Sequence, residues 1–397
     1  MIKLIPRLKP QWTLKDFVAA LTPKKNAKSE YERAFAQKFG CEHGVMFSHG
    51  RSGLYALFKV WGLNQDEIVC PAYTCVVVQN AIVLSGNIPV FVDSEAPGKG
   101  FNMDPDLLRK AIGPKTRAVV VTHLFGYPMD VKRVQRIVED AENKYGHKIY
   151  VIQDAAHSYG ARILGGDLVT SYGDAAIFGS NISKIITSVF GGMVTTNQEE
   201  TAEALRKYQK EHFKKNHFKG LKRFLYMSAT AISFHPVVYG LVNWLERKGF
   251  LDRFVKYYDE GKIYFPSDWD QLPCSLEARV GHSQLSRYYD IIDSRVNNSK
   301  AWMLELAADE RFRFLPQLEG VTFSHCVALV EDRDAIVEEY RNYGFQLGIL
   351  IEYSVPEFQS YRKYRIGQDF PNAKYYSEHC INFPIWRGME KYLDPSE

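Results

Sequence analysis

Asp154 closes the run IYVIQD, a β-branched, apolar stretch that reads as a buried strand. A carboxylate at the end of such a strand is costly unless a cation pairs with it. A helix N-cap or turn aspartate is an equally open reading of that segment alone. Thirty residues later, Lys184 follows the strand Asp174–Phe178 and precedes a Gly-Gly turn. Most lysines are solvated, but this one is flanked by Ile182, Ile185 and Ile186. An amine held among apolar groups has a lowered pKa suited to imine formation. Ahead of both, a short strand (VMF) leads into Gly50-Arg51-Ser52, which opens a helix. Amides at a helix N-terminus bind phosphate, although many helices begin with a Gly-x-Ser turn. Together these groups meet the demands of pyridoxal 5′-phosphate: a lysine for its aldehyde, a carboxylate for its pyridine nitrogen and a cradle for its phosphate. A flat surface against the ring is the remaining demand.

The elements that must position these residues are also legible. Between residues 45 and 200, β-rich runs at Ile68–Cys70, Val90–Val92, Ala118–Thr122, Ile149–Gln153, Ala175–Phe178 and Met193–Thr196 alternate with helical stretches such as Gly53–Trp61 and Asp104–Ala111. That alternation predicts a mostly parallel sheet with helices on both faces. Ligands in such sheets sit at the carboxyl ends of strands. From about Pro273 a single long helix is expected (SLEARVGHSQLSRYYDIIDSRVNNSKAWMLELAADE), then short mixed elements to the end.

With 397 residues, the chain is long enough for one large α/β domain and a smaller one. Its formal charge of +4 is too slight to imply nucleic-acid binding. The six cysteines (41, 70, 75, 274, 326 and 380) contain no CxxC pair and no dense framework. We therefore expect reduced thiols, a cytoplasmic location and no metal site. The N-terminal MIKLIPRLKPQWTLKDF lacks the apolar core of a signal peptide.

The ordered segments SHGRSGLYALFKVWGL, VCPAYTCVVVQNAIVLSGNIPVFVD, VVVTHLFGYPMD, VIQDAAHSYGARILGG, YGDAAIFGSNISK and FGGMVTTN resemble the DegT-type (DegT/DnrJ/StrS) sugar aminotransferases, and GHSQL and HCINFPIW extend the resemblance more loosely. It implies a fold-type I pyridoxal phosphate enzyme, with a mostly parallel seven-stranded sheet and a smaller C-terminal α/β domain. The expected divisions are a large cofactor-binding domain over 1–205, a helical insertion over 206–260 and a small domain over 270–397. Lys184 becomes the Schiff-base lysine and Asp154 the partner of the pyridine nitrogen. His157 falls beside the cofactor's phenolic oxygen, and Gly50, Arg51 and Ser52 fall at its phosphate. His123 and Tyr127 neighbour that mouth, and a buried structural histidine is the better reading of His123. Family members with histidine at the Schiff-base position are sugar dehydratases, so Lys184 implies amino transfer. The implied partners are L-glutamate as donor, a nucleotide-linked keto sugar as acceptor and a second copy in a homodimer.

Three positions depart from the family pattern. Cys75 stands where a ring-stacking aromatic is expected, leaving Tyr73 as the nearest ring. Gly179 replaces a phosphate-binding serine, with Ser180 adjacent, and Asp270 lies near the expected asparagine of a segment that reaches the neighbouring subunit's phosphate. These departures keep open a dehydratase, another pyridoxal phosphate enzyme or a membrane-tethered homologue with weak catalysis.

Residues 206–258 are distinctive. Eight basic residues lie between Arg206 and Arg223 against one acid, Glu211, and Phe224–Leu245 then runs 22 residues without Asp, Glu, Lys or Arg. Pro236 should divide that run into two short helices. They either lie on a membrane surface, with the basic cluster drawn to anionic lipid at the inner face, or pack on the dimer or over the active site.

Overall fold

The computed structural model describes residues 4–250, 258–316, 318–365 and 367–393. Helices α1 (Leu14–Leu21) and α2 (Ala27–Lys38) lead into a seven-stranded sheet built from β1 (His43–Phe47), β2 (Glu67–Pro71), β3 (Ile88–Val92), β4 (Thr116–Thr122), β5 (Tyr150–Asp154), β6 (Ala175–Gly179) and β7 (Gly192–Thr196). The strand order is β1-β7-β6-β5-β4-β2-β3. β7 runs against both of its neighbours, β1 and β6, whereas β6, β5, β4, β2 and β3 pair in parallel. Strands such as β2 and β5 are buried along nearly their whole length, as expected for a sheet covered on both faces by helices. Helices α3 (Gly50–Val60), α4 (Val77–Leu84), α5 (Pro105–Ala111) and α6 (Val131–Tyr145) supply the cover after β1 to β4.

Register explains why the chemistry collects at one edge. Thr122 pairs with Asp154, Asp154 with Ile177, Gly179 with Gly192 and Phe47 with Gly192. The carboxyl ends of β1, β4, β5 and β6 therefore lie level. Glycine is required where the β1–α3 turn meets β7. A Cβ on Gly192 would sit 2.2 Å from the Gly50 nitrogen, and one on Gly50 would sit 2.8 Å from the Phe178 carbonyl.

Two sequence expectations change. Helix α7 (Glu199–His212) runs through the 205/206 boundary, because its Gln209 Nε2 donates to the Met46 carbonyl at 2.7 Å and its Leu205 is fully buried. The extra segment instead leaves and returns where Lys214 bridges Gln271. Between those feet lie α8 (Lys219–Ser233) and α9 (Pro236–Arg247), with Pro236 at the first turn of α9 and a 103° bend between them. The sequence boundary at 260 falls just beyond residues 251–257, which lie outside the described residues.

The long helix expected after Pro273 is also two, α10 (Ser275–Leu285) and α11 (Tyr288–Glu305). Arg287, at the break, is pulled towards the fully buried Asp16 at 2.6 Å, and Gln284 donates to the same carboxylate at 2.9 Å. Helix α10 belongs with the large domain: a Cβ on Gly281 would sit 2.5 Å from the Tyr31 ring of α2. The C-terminal part then forms a three-stranded antiparallel sheet of β8 (Arg313–Phe314), β9 (Cys326–Leu329) and β10 (Cys380–Phe383), with α12 (Arg333–Asn342) and α13 (Pro371–His379). Trp302 of α11 closes on it, 4.7 Å from Phe383.

Candidate active site

A cavity of about 580 Å³ opens at the level strand ends, between the large sheet and the C-terminal part. That volume suits a small-molecule site. Gly50, Arg51, Cys75, Asp154, His157 and Lys184 all line it. Six of the nine residues singled out from sequence therefore converge.

Asp154 is buried, with Oδ1 accepting from the Ala156 amide at 3.1 Å and Oδ2 from the Thr122 hydroxyl at 3.2 Å. It makes no ion pair among the described residues. Burial pushes its carboxyl above the ordinary range, opposed by the Ala156 amide, the Lys184 charge and Thr122. Two neutral donors leave the buried carboxylate without an ionic partner. Lys184 lies in a turn after β6, and its neighbours Ile185 and Ile186 are fully enclosed. Desolvation holds its amine below the ordinary lysine range, opposed by Cys75 and Asp154 and reinforced by Arg51. The amine therefore has a larger uncharged fraction at neutral pH than a solvated lysine.

His157 accepts from the Phe125 amide through Nδ1 at 3.4 Å, and its ring lies 5.3 Å from that of His325. Burial holds both imidazoles neutral; Lys184 and then His325 act in the same sense on His157, as Arg295 and then Lys184 do on His325. Gly50 and Arg51 place the N-terminus of the 11-residue helix α3 at the cavity wall.

The other three sequence-chosen residues lie elsewhere. Ser52 is turned behind the wall, its hydroxyl donating to the Trp269 carbonyl at 2.7 Å. Ser180 is fastened to the Gly191 carbonyl by its amide at 2.8 Å and pairs with the Tyr159 hydroxyl at 3.3 Å. Tyr73 points away from the cavity, stacking on Tyr376 at 5.6 Å with its hydroxyl directed to the Ile351 and Tyr376 carbonyls. Its ring is already buried, so the residue in the ring-facing position remains the half-buried Cys75. Asp270 is also corrected: it pairs with Lys214 at 2.8 Å. Asp268 lines the cavity instead, joining His49 and Arg223, each at 2.8 Å. Burial alone would raise Asp268; His49 and Arg223 outweigh it and hold its carboxyl well below the usual range. His123 is structural, bridging Gln153 at 2.9 Å and the Met129 amide at 3.0 Å. Tyr127 packs against Phe101 and Phe323.

Sequence reading missed Arg295 and His325. Arg295 falls on the buried face of α11 with Ile291, Asn298 and Trp302, a spacing of four, three and four residues. A charged residue inside that stripe was the available signal. Its Nη1 donates to the Ser324 carbonyl at 2.8 Å, while its buried Nε has no partner. It makes no ion pair among the described residues, and burial pulls its guanidinium down to about 10. The lining as a whole sets five cations (Arg7, Lys9, Arg51, Lys184, Arg295) against two carboxylates (Asp154, Asp268).

These residues fit pyridoxal phosphate. Asp154 is a buried carboxylate without a cation, Lys184 is a desolvated amine in the same cavity, and a helix N-terminus with Arg51 suits a phosphate. Family comparison agrees. The profile of the DegT/DnrJ/EryC1/StrS aminotransferase family matches residues 20–228. GDP-perosamine synthase from Caulobacter vibrioides is 33% identical over 178 residues, which span 45% of this chain and 46% of that one. The chain thus aligns with just under half the length of that relative. An uncharacterized protein of Methanocaldococcus jannaschii, MJ1066, is 30% identical over 380 residues, covering 91% of this chain and 85% of that one. In fold, the sugar aminotransferase CalS13 from Micromonospora echinospora superposes with a TM-score of 0.75 at 20% identity, covering 96% of this chain and 95% of the other. Over more than half its length, the chain belongs to the DegT/DnrJ/EryC1/StrS aminotransferase family.

Proposed function

We propose that the protein is a pyridoxal phosphate-dependent aminotransferase that moves an amino group from an amino-acid donor such as L-glutamate to the ketone of a nucleotide-linked sugar. The observation that carries this reading is the convergence of uncompensated Asp154 and desolvated Lys184 in one cation-rich cavity. The name of the Caulobacter relative supports a GDP-linked acceptor as the first to try. A product of that kind would enter polysaccharide or secondary-metabolite synthesis.

When bound, the cofactor supplies an electron sink for the carbon that loses or gains a proton. Asp154 would hold positive charge at the pyridine nitrogen, and the α3 N-terminus with Arg51 would hold the phosphate. Lys184 Nζ would anchor the cofactor and move the proton at the donor's Cα, a task for which its depressed pKa suits it. Neutral His157 would offer a hydrogen bond to the phenolic oxygen without adding charge. On the C-terminal wall, Arg295 has an orphaned Nε and no acid partner among the described residues, so it would pair with the donor's carboxylate. The excess of cations would draw in the acceptor's phosphates.

Incubation with pyridoxal phosphate should give the visible absorbance of a lysine-bound cofactor, absent in Lys184→Ala. L-glutamate should bleach it, and a keto sugar nucleotide should restore it. Absence of the band after loading sinks the cofactor reading. A band that glutamate leaves unchanged sinks the donor. The expected assembly is a homodimer, checked by sedimentation velocity.

A further inference from the structure

Helices α8 and α9 break the usual rule for amphipathic helices. Along α8, Leu221, Leu225 and Ile232 are exposed, following Phe218 just before it. Along α9, Val237, Leu241 and Trp244 are exposed at spacings of four and three residues. The neighbouring α1 repeats the pattern with Leu14, Val18 and Leu21, and joins α8 through Phe17 against Phe224 at 6.5 Å. Leu14, Phe218 and Val237 each keep at least 70% of their surface, so these stripes face solvent rather than a core. Adjacent apolar stripes of this kind mark a surface that something covers.

Charge identifies the cover. Lys15, Lys24, Lys25, Lys215, Lys222 and Lys248 stand exposed on or beside the same three helices. A second observation lies between the end of α9 and α12. There, a cleft of about 750 Å³ is lined by Trp244, Arg247, Lys248 and Arg341, with Leu241 and Leu4 on its apolar side. Arg341 pairs with Glu338, but among the described residues the cleft lining itself contains no acid. Burial and then the charge of Arg247 hold the Arg341 guanidinium below its ordinary range. Leu241 and Trp244 belong both to the exposed stripe and to the cleft, so apolar face and cationic cleft are continuous.

We propose that this surface docks on an anionic phospholipid bilayer, with the α8–α9 hairpin lying in the interface plane and the α9–α12 cleft receiving a lipid phosphate. Length excludes a crossing by either helix. At 1.5 Å per residue, the 15 residues of α8 reach about 22 Å and the 12 of α9 about 18 Å, against about 30 Å of hydrocarbon. In-plane binding needs a helix with apolar residues on one side and basic residues around it, as here. The inner side of α8 carries Tyr226 into the catalytic cavity, 4.8 Å from Phe190. Docking therefore sets that cavity about one helix diameter from the lipid surface.

The test is co-sedimentation of the full-length protein with phosphatidylcholine vesicles, with and without one-third phosphatidylserine. Anionic vesicles should carry down ~10-fold more protein than neutral ones, and high salt should remove the excess. L225E/W244E should abolish pelleting, and R247Q/R341Q should weaken it ~10-fold while both variants keep the wild-type melting temperature. Equal binding to neutral and anionic vesicles, or pelleting unchanged in both variants, overturns the proposal. It is also overturned if inorganic phosphate raises the melting temperature while anionic vesicles pellet nothing, which assigns the cleft to a soluble anion. If L225E/W244E lowers the oligomeric state and vesicles bind nothing, a second copy covers the face and the lipid reading fails. None of these outcomes depends on the aminotransferase reading.

Discussion

The cavity floor and the α8–α9 hairpin break the burial rule in opposite directions. At the floor, charged groups are enclosed without full compensation: Asp154 has neutral donors only, and Arg295 keeps an orphaned Nε. On the hairpin, apolar groups such as Val237 and Trp244 are left in water. Some other buried charges have an ionic partner. Buried Glu277, for example, is paired with Arg223 at 2.7 Å, and buried Asp16 with Arg287 at 2.6 Å. The contrast separates charge paired within the fold from charge left without an ionic partner at the cavity. A buried ion that already has its partner holds the fold, whereas one that lacks an ionic partner and faces a cavity is a candidate to meet a ligand. The same holds for apolar surface, which waits for a partner where it is not packed.

The sharpest way to break this comparison is at the floor. Lys184→Ala should lower amino transfer by ~1000-fold or more in single-turnover assays, because no other amine lining the cavity shares its turn. Asp154→Asn keeps the shape and removes the charge. It should cost ~100-fold or more in turnover, read against a melting temperature that rises or stays level as the buried charge is lost. A sharp fall in melting temperature would instead make Asp154 structural. Arg295→Gln should raise the KM for L-glutamate ~30-fold and leave the KM for the sugar nucleotide nearly unchanged, with Arg295→Lys partly restoring it. Equal effects on both substrates would assign Arg295 to the acceptor.

Stability against pH probes the enclosed neutral histidines. Burial lowers His123 to about 4, opposed by its bond to Gln153. Its ordinary value is near 6.5, so between these limits the unfolded chain binds the extra proton. The contribution is fully present above about pH 6.5 and is lost as pH falls towards 4; it amounts to about 2 kcal/mol by pH 5. Urea unfolding at about pH 6.5 and pH 5 should show at least this loss, and His123→Gln should reduce it by about that amount, leaving the share of His157 and His325. The smallest effect belongs to the hairpin. Leu225→Glu should change unfolding free energy by no more than about 0.5 kcal/mol, since the side chain is already exposed. A larger loss would mean that the face is packed in the solution assembly.

Much of this was legible in one dimension. The β-branched run ending in Asp154, the isoleucines around Lys184 and the Gly50–Ser52 turn are local patterns, and strand alternation follows from period and composition. Pro236 likewise announced the break in the apolar run, because it cannot continue a helix from its preceding turn. What escaped depends on contacts between distant segments. Helix α10 ends where Asp16, some 270 residues earlier, captures Gln284 and Arg287. Tyr73 is lost to the cavity because Tyr376 claims its ring, and Asp270 because Lys214 claims its charge.

By itself, then, the sequence determined the residues proposed to bear the reaction and the layered order of the large domain, since both are written in local period, residue type and spacing. Only the tertiary structure decided which charges are left without a partner. It brought Arg295 and His325 from the C-terminal part to the cavity of Lys184, and it turned Ser52 and Ser180 behind the wall. It also left the stripes of α8 and α9 facing water. The physical reason is that pairing and burial are properties of neighbours in space, and neighbours in space are set by the packing of elements far apart in the chain.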